Sequence, residues 1–188
     1  SLMTDFFEPE GIYHIYNRAI GNERLFLFEE NYSYFLTKYQ QLLGDKLETL
    51  AYCLMPNHFH FLVRIKPNFS NEQIVKGFAD FQNSYSKSIN KAFNRHGALF
   101  QRKFKRKKID SEEYLSQVII YIHLNPVKHK LTKSPFDWKY SSLKTYLSEK
   151  PTKLNRGLGL DWFGGMEGFR ISHQENVAIY LPDEFQME

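Results

Sequence analysis

His58 and His60 stand two residues apart in a stretch, His58 to Ile65, rich in aromatic and branched side chains. Such a stretch reads as a β-strand. Alternate residues of a strand share a face, so both imidazoles can converge on one divalent ion. Two histidines leave coordination positions for phosphate oxygens, as an ion that polarises a phosphodiester requires. The same pair also fits a strand that only shows polar histidines to solvent. Tyr121 and Asn125 are four apart on a helical stretch and so face the same way. A tyrosine hydroxyl can attack phosphorus and divide cleavage and rejoining into two steps. The Asn125 amide oxygen could serve as a third ligand. Tyr114, seven positions before Tyr121, lies on nearly the same face. Spacing does not separate the two tyrosines; only the pairing with Asn125 favours Tyr121.

A third signal is charge. The net charge is +4 and the pI about 9.0, a mild pointer to nucleic acid. Nine Lys/Arg and no acid fall between Ser84 and Ile109: Lys87, Lys91, Arg95, Arg102, Lys103, Lys105, Arg106, Lys107 and Lys108. From Asp161 to Glu188 there are six acids against Arg170 alone. Clustered cations neutralise phosphates and give affinity without reading sequence; a solvated charged face is the plainer explanation of such a run. Arg18, closing the first strand, is a plausible DNA contact. Phe100 and Phe104 interleave with the cations and either stack on unpaired bases or belong to the core. His14 either lines the face beside the histidine strand or, more readily, fills a structural place. His123 and His129 lie near Tyr121 and could touch phosphate. Asp110 is best read as a helix cap. No phosphate-cradling glycine loop, HExxH motif or serine-esterase elbow is present.

These residues need a scaffold, and the hydrophobic pattern supplies one. Strands are expected at Ile12–Asn17, Lys46–Leu54, His58–Ile65 and within Leu99–Ile109. Helices are expected at Glu29–Leu43, from Ser70 or Asn71 to about Asn94, and from an Asp110 cap to about Asn125-Pro126. The order β-α-β-β-α-β is ferredoxin-like, an antiparallel sheet in an α+β fold, followed by an additional tyrosine-bearing helix. In that topology the first and third strands are central, which puts the two histidines on a rigidly held strand. On it His58, His60, Leu62 and Arg64 share one face. Residues 1–134 are expected to form the domain and 135–188 an extension wrapped on its core through Trp138, Tyr140, Leu143, Tyr146, Leu147, Trp162 and Phe163. Pro182 argues against a strong final element. A length of 188 residues, 42% of them hydrophobic, suits one packed domain rather than a disordered chain. Cys53 alone excludes a disulfide framework or a cysteine zinc site. No stretch approaches the 18 apolar residues of a membrane span, and the N-terminus shows no signal pattern, so a cytoplasmic location is expected.

Several blocks taken together resemble a known family. They are Tyr13-His14-Ile15-Tyr16-Asn17-Arg18, Ala51-Tyr52-Cys53-Leu54-Met55-Pro56-Asn57-His58-Phe59-His60, Leu99-Phe100-Gln101-Arg102-Lys103-Phe104-Lys105 and Tyr121-Ile122-His123-Leu124-Asn125-Pro126-Val127-Lys128. The chain resembles the IS200-like transposase superfamily, and more narrowly its REP-associated tyrosine transposase branch, from about Tyr13 to Tyr146. The resemblance implies an HUH-class single-strand DNA endonuclease and ligase. It implies Mg²⁺ or Mn²⁺ on His58, His60 and Asn125, and Tyr121 as a nucleophile that leaves a 5′-phosphotyrosine and a 3′-OH. Insertion-sequence members typically carry glutamine at the third ligand position, and asparagine marks the REP-associated branch. The implied partner is single-stranded and hairpin DNA such as REP-like palindromes, gripped by Arg18, Arg95, Arg102, Lys103, Lys105, Arg106, Lys107 and Lys108. A monomer is slightly favoured over a homodimer. The competing readings are a non-catalytic ferredoxin-like module binding DNA or RNA, and a metal phosphodiesterase that uses water.

Overall fold

A computed structural model describes residues 5–175. Pro182 and the acids Asp183, Glu184 and Glu188 lie outside the described residues. The elements run β1 (Ile12–Arg18), α1 (Glu29–Leu43), β2 (Leu47–Met55), β3 (His58–Ile65), α2 (Asn71–Ala92), β4 (Lys105–Lys108) and α3 (Glu112–Lys128). A 3₁₀ turn (Pro135–Asp137) and three short helices follow: α4 (Leu143–Leu147), α5 (Arg156–Asp161) and α6 (Met166–Gln174). The sheet order is β2-β3-β1-β4, with every neighbouring pair antiparallel. This is the ferredoxin-like sheet expected, with β1 and β3 at its centre.

The period-2 pattern of β3 divides the molecule into two cores. Phe59, Phe61, Val63 and Ile65 face α1 and α2, where Phe35, Tyr39, Phe78, Phe81 and Tyr85 complete an aromatic-rich cluster. Those helix residues recur every three or four positions, so each helix presents one apolar stripe to the sheet. The opposite face carries His58, His60 and Leu62. It is covered by α3 and by residues from the C-terminal segment, including Leu143, Tyr146, Leu154 and Phe169. The histidine face is therefore buried rather than exposed: His60 is 0% and His58 5% accessible.

Residues beyond 134 do more than lie on the core. β2 is an edge strand, and its outer backbone groups would otherwise be unpaired. Leu54 N–H donates to Tyr140 O, Ser142 N–H to Tyr52 O and Asn155 N–H to Thr49 O, while Trp138 Nε1–H donates to Leu54 O. The extension thus finishes the sheet edge.

Two local expectations are corrected and a third is narrowed. The cap of α3 is Ser111, whose hydroxyl accepts from Glu113 N–H, whereas Asp110 pairs with Lys108. Pro126 does not end α3; it lies inside the helix, which continues to Lys128. Pro126 omits one bond of the helix ladder, and the turn after it closes the end, with His129 N–H donating to Asn125 O and Leu131 N–H to Pro126 O. The basic strand is only four residues long, although an isolated bridge from Phe100 to Ala19 holds its approach against β1.

Candidate functional site

The β2–β3 hairpin turns through Pro56-Asn57, with Met55 opposite His58. The β1–α1 connection locks its tip: Leu25 N–H donates to Pro56 O and Ala19 N–H to Asn57 O. His58 therefore leaves a fixed turn. Its Nδ1 lies 2.7 Å from Asn57 Oδ1, which only accepts, so Nδ1 carries the proton and the Nε2 lone pair is available to the site. The His60 ring centroid is 5.4 Å from that of His58. Across the sheet face, α3 lays Tyr121 and Asn125 over the pair. The Tyr121 ring stands edge-on to His60 at 5.9 Å and to His14 at 6.1 Å. Asn125 donates from Nδ2 to Tyr121 O, which orients its amide.

Three buried atoms in this group have no hydrogen-bond partner: His58 Nε2, His60 Nε2 and Asn125 Oδ1. Buried polar atoms are normally paired, so orphans on neighbouring side chains mark a place for something else. Two imidazole nitrogens and one amide oxygen fit a divalent ion such as Mn²⁺ or Mg²⁺ with positions left for phosphate oxygens. Among the described residues no three His, Cys, Asp or Glu side chains group into a metal cage by themselves.

Electrostatics keep the imidazoles neutral, as ligands must be. Burial lowers His58 to about 3, with His129 and Arg18 adding to the effect and the Asn125 amide opposing it. Burial also pushes His60 well below its ordinary value, assisted by His14, His58 and His129. Arg18 and His129 line an open cavity of about 440 Å³ at the mouth of the site, together with Arg24, Asn57 and His58.

Of the two tyrosines of α3, Tyr121 is buried in the second core with its ring against the histidines, and Tyr114 is a partly buried neighbour of the same core. His123 is not near the phosphate path. It is fully buried in the second core, bonded through Nδ1 to His173 Nε2 and through Nε2 to Ser142 Oγ. Helix positions two apart point about 200° apart, which is why its nearness to Tyr121 in sequence misleads. Phe100 and Phe104 are core residues, 7% and 8% accessible.

The basic run divides. Arg102, Lys103 and Lys105 are exposed. The others named as DNA contacts are largely engaged within the chain. Arg95 pairs with Glu23 at 3.3 Å and donates to Asn90 Oδ1 and Ala98 O. Arg106 donates to Asp5 O and packs over Phe7, and Lys108 holds Glu8 at 2.5 Å. Lys107 is half-buried on β4. Sequence reading gave His14 a place on this face only as the lesser of two readings, and missed Tyr16 and Lys128 as neighbours of the site. His14 meets His60, the Tyr16 ring lies 5.8 Å from His60, and Lys128 Nζ sits 5.1 Å above the Tyr121 ring. The two-residue spacing of His14 and Tyr16 on a central strand was the available signal, since it puts both on one face.

The sequence profile of the family described as transposase IS200 like matches residues 12–125. The chain belongs to this family. The IS200-like chain is 32% identical over 104 residues to a Haemophilus influenzae protein named as a putative REP-associated tyrosine transposase, covering 50% of this chain. It spans 58% of that relative's length. A solved structure of a REP-associated tyrosine transposase bound to a REP hairpin matches with a TM-score of 0.64 at 18% identity, over 80% of this chain and 88% of the other. At that identity the match speaks for the fold, which agrees with the ferredoxin-like sheet and its added helix. Both relatives carry the REP-associated description that the motifs led one to expect. Among the described residues no helix is long and apolar enough to cross a membrane.

Proposed function

We propose that this IS200-like protein cuts and rejoins single-stranded DNA beside a hairpin, through a covalent bond to Tyr121. The observation that carries the reading is the trio of orphaned buried atoms on His58, His60 and Asn125 with the Tyr121 ring 5.9 Å from His60. A divalent ion bound there would withdraw charge from the non-bridging oxygens of the scissile phosphate. Tyr121 Oη attacks phosphorus in line. The new bond joins phosphorus to Oη, the bond from phosphorus to O3′ breaks, and the phenolic proton passes through solvent to the departing 3′ oxygen. The 5′ end is left on Tyr121. A 3′-OH attacking the same phosphorus reverses each change and rejoins a strand, with no other energy source needed. Lys128 above the Tyr121 ring favours the anionic oxygen as it forms. Arg18 at the mouth of the site and Arg102, Lys103 and Lys105 on the approach to and start of β4 hold phosphates.

The ligand trio and the tyrosine come from one chain, which supports a monomer acting alone, in the cytoplasm where its DNA would be. The hairpin class of substrate follows the solved relative, which holds a REP hairpin. The test uses a pool of hairpin oligonucleotides with randomised single-stranded flanks, incubated with Mn²⁺ and resolved on a denaturing gel. Wild type and Tyr114→Phe are expected to give a protein–DNA adduct, and Tyr121→Phe to bind without forming one. An adduct from Tyr121→Phe would move the nucleophile to Tyr16, the other tyrosine beside His60. Cleavage without any adduct would replace the tyrosine by water.

A further inference from the structure

We propose that His14 is a positioning residue whose Nε2 accepts the His60 Nδ1 proton when an ion takes the His60 Nε2 lone pair, and so lets His60 ligate. The inference rests on the ion site proposed above. His14 is fully buried at the centre of β1, diagonal to His60 on the same sheet face. Its Nε2 lies 2.8 Å from His60 Nδ1, with the two rings 20° from parallel. Two neutral imidazoles share one proton across such a contact, and it can sit on either side. With the proton on His60 Nδ1, the His60 Nε2 lone pair is available and His14 Nε2 accepts. With it on His14 Nε2, His60 carries its own proton on Nε2 and cannot ligate.

Both His60 Nε2 and His14 Nδ1 are buried without a partner. Each arrangement therefore leaves one donor and one lone pair unsatisfied, and the protein alone has little to choose between them. Only an ion at His60 Nε2 breaks the tie, by taking the lone pair of the first arrangement. This differs from His58, whose Asn57 partner accepts and dictates one form outright. The site thus has one ligand set in advance and one set on binding, with His14 as the acceptor that permits it. Partners of this kind typically tune metal affinity by about 10–100-fold.

Mn²⁺ affinity of the full chain, read from the paramagnetic resonance signal of unbound Mn²⁺, tests this with wild type, His14→Phe, His14→Gln and His58→Ala, each checked for folding by melting. His14→Phe fills the space without an acceptor and is expected to weaken Mn²⁺ binding by about 10–100-fold. His14→Gln restores an acceptor oxygen and is expected to recover most of the affinity, which a purely space-filling histidine would not require. Long-range ¹H–¹⁵N spectra of wild type with Mg²⁺ give an answer even if a variant does not fold: the His60 proton is expected on Nδ1. A proton on His60 Nε2, or wild-type affinity in His14→Phe with weakened binding in His58→Ala, overturns the inference alone. Equal binding by wild type and His58→Ala would remove the ion site and this inference with it.

Discussion

At the residue scale the site is built from unsatisfied groups. Asn125 Oδ1 is buried without a partner, and such an atom costs about 1–3 kcal/mol. An apolar side chain of similar shape would remove that cost while giving up the bond from Nδ2 to Tyr121 O. Asn125→Leu is therefore expected to melt within about 2 °C of metal-free wild type or above it, since 1 kcal/mol moves a domain of this size by roughly 2–4 °C. Wild type should gain about 2.7 kcal/mol at Mn²⁺ a hundredfold above Kd, and Asn125→Leu far less. Scanning calorimetry with and without Mn²⁺ checks both; a metal-free variant melting about 10 °C low would show that Asn125 is structural. The residue types and spacing of His58, His60, Tyr121 and Asn125 were legible from the chain. Their burial was not, because it depends on α3 and the C-terminal segment closing over the sheet face.

At the element scale the histidines are held by a hairpin and a central strand, and the tyrosine by a helix. Precision comes from β3, paired on both sides, and from α3, which packs on β2 and β3. The basic segment works differently. Arg102, Lys103 and Lys105 are exposed, whereas Arg95 and Lys108 hold loops and the N-terminal lead-in. Replacing Arg102, Lys103 and Lys105 together by alanine is expected to lower single-strand affinity. It should also flatten the plot of log affinity against log salt by about 2, roughly 0.7 for each phosphate that these side chains no longer neutralise. Arg95→Ala should leave that slope in place and lower the melting temperature instead. Fluorescence anisotropy across a salt series reads the slopes, and equal slopes for wild type and the triple variant would take the DNA path off this segment. Charge counting could not make this division. Which cations meet acids is decided largely by Glu23 and Glu8 arriving from elsewhere in the fold.

At the scale of the whole molecule, five histidines among the described residues are buried: His14, His58, His60, His123 and His173. Burial lowers His14 and His58 to about 3 and His173 to about 4, and lowers the other two as well. In the unfolded chain each titrates near 6.5. Below that pH the unfolded state binds more protons than the native state, so stability is full above about 6.5 and falls as pH drops toward 3–4. Each histidine contributes about 1.4 kcal/mol per pH unit in that window. By about pH 5 His14, His58 and His173 together remove on the order of 6 kcal/mol, a large share of the stability of an ordinary domain, and His60 and His123 act in the same direction. The protein is expected to unfold cooperatively between about pH 6 and 4.5, with Mn²⁺ moving the midpoint to lower pH. Near-ultraviolet circular dichroism follows the transition; a native spectrum at about pH 4 would mean that these rings already carry charge in the folded state.

The order of strands and helices, the shared face of His58 and His60, and the pairing of Tyr121 with Asn125 follow from periodicities of 2 and 3.6 residues, which are local. They are determined by the chain itself, and with the motif blocks they led to the right family. Tertiary structure alone decided the rest. It set the Tyr121 ring against His60, moved His123 into a second core with His173, turned Phe100 and Phe104 inward, and brought His14 within 2.8 Å of His60. Each of those outcomes depends on which surface covers a given face, and that is set by segments dozens of residues away. A histidine on β1 shows its purpose only when the pairing of β1 with β3 brings a second imidazole to its ring nitrogen.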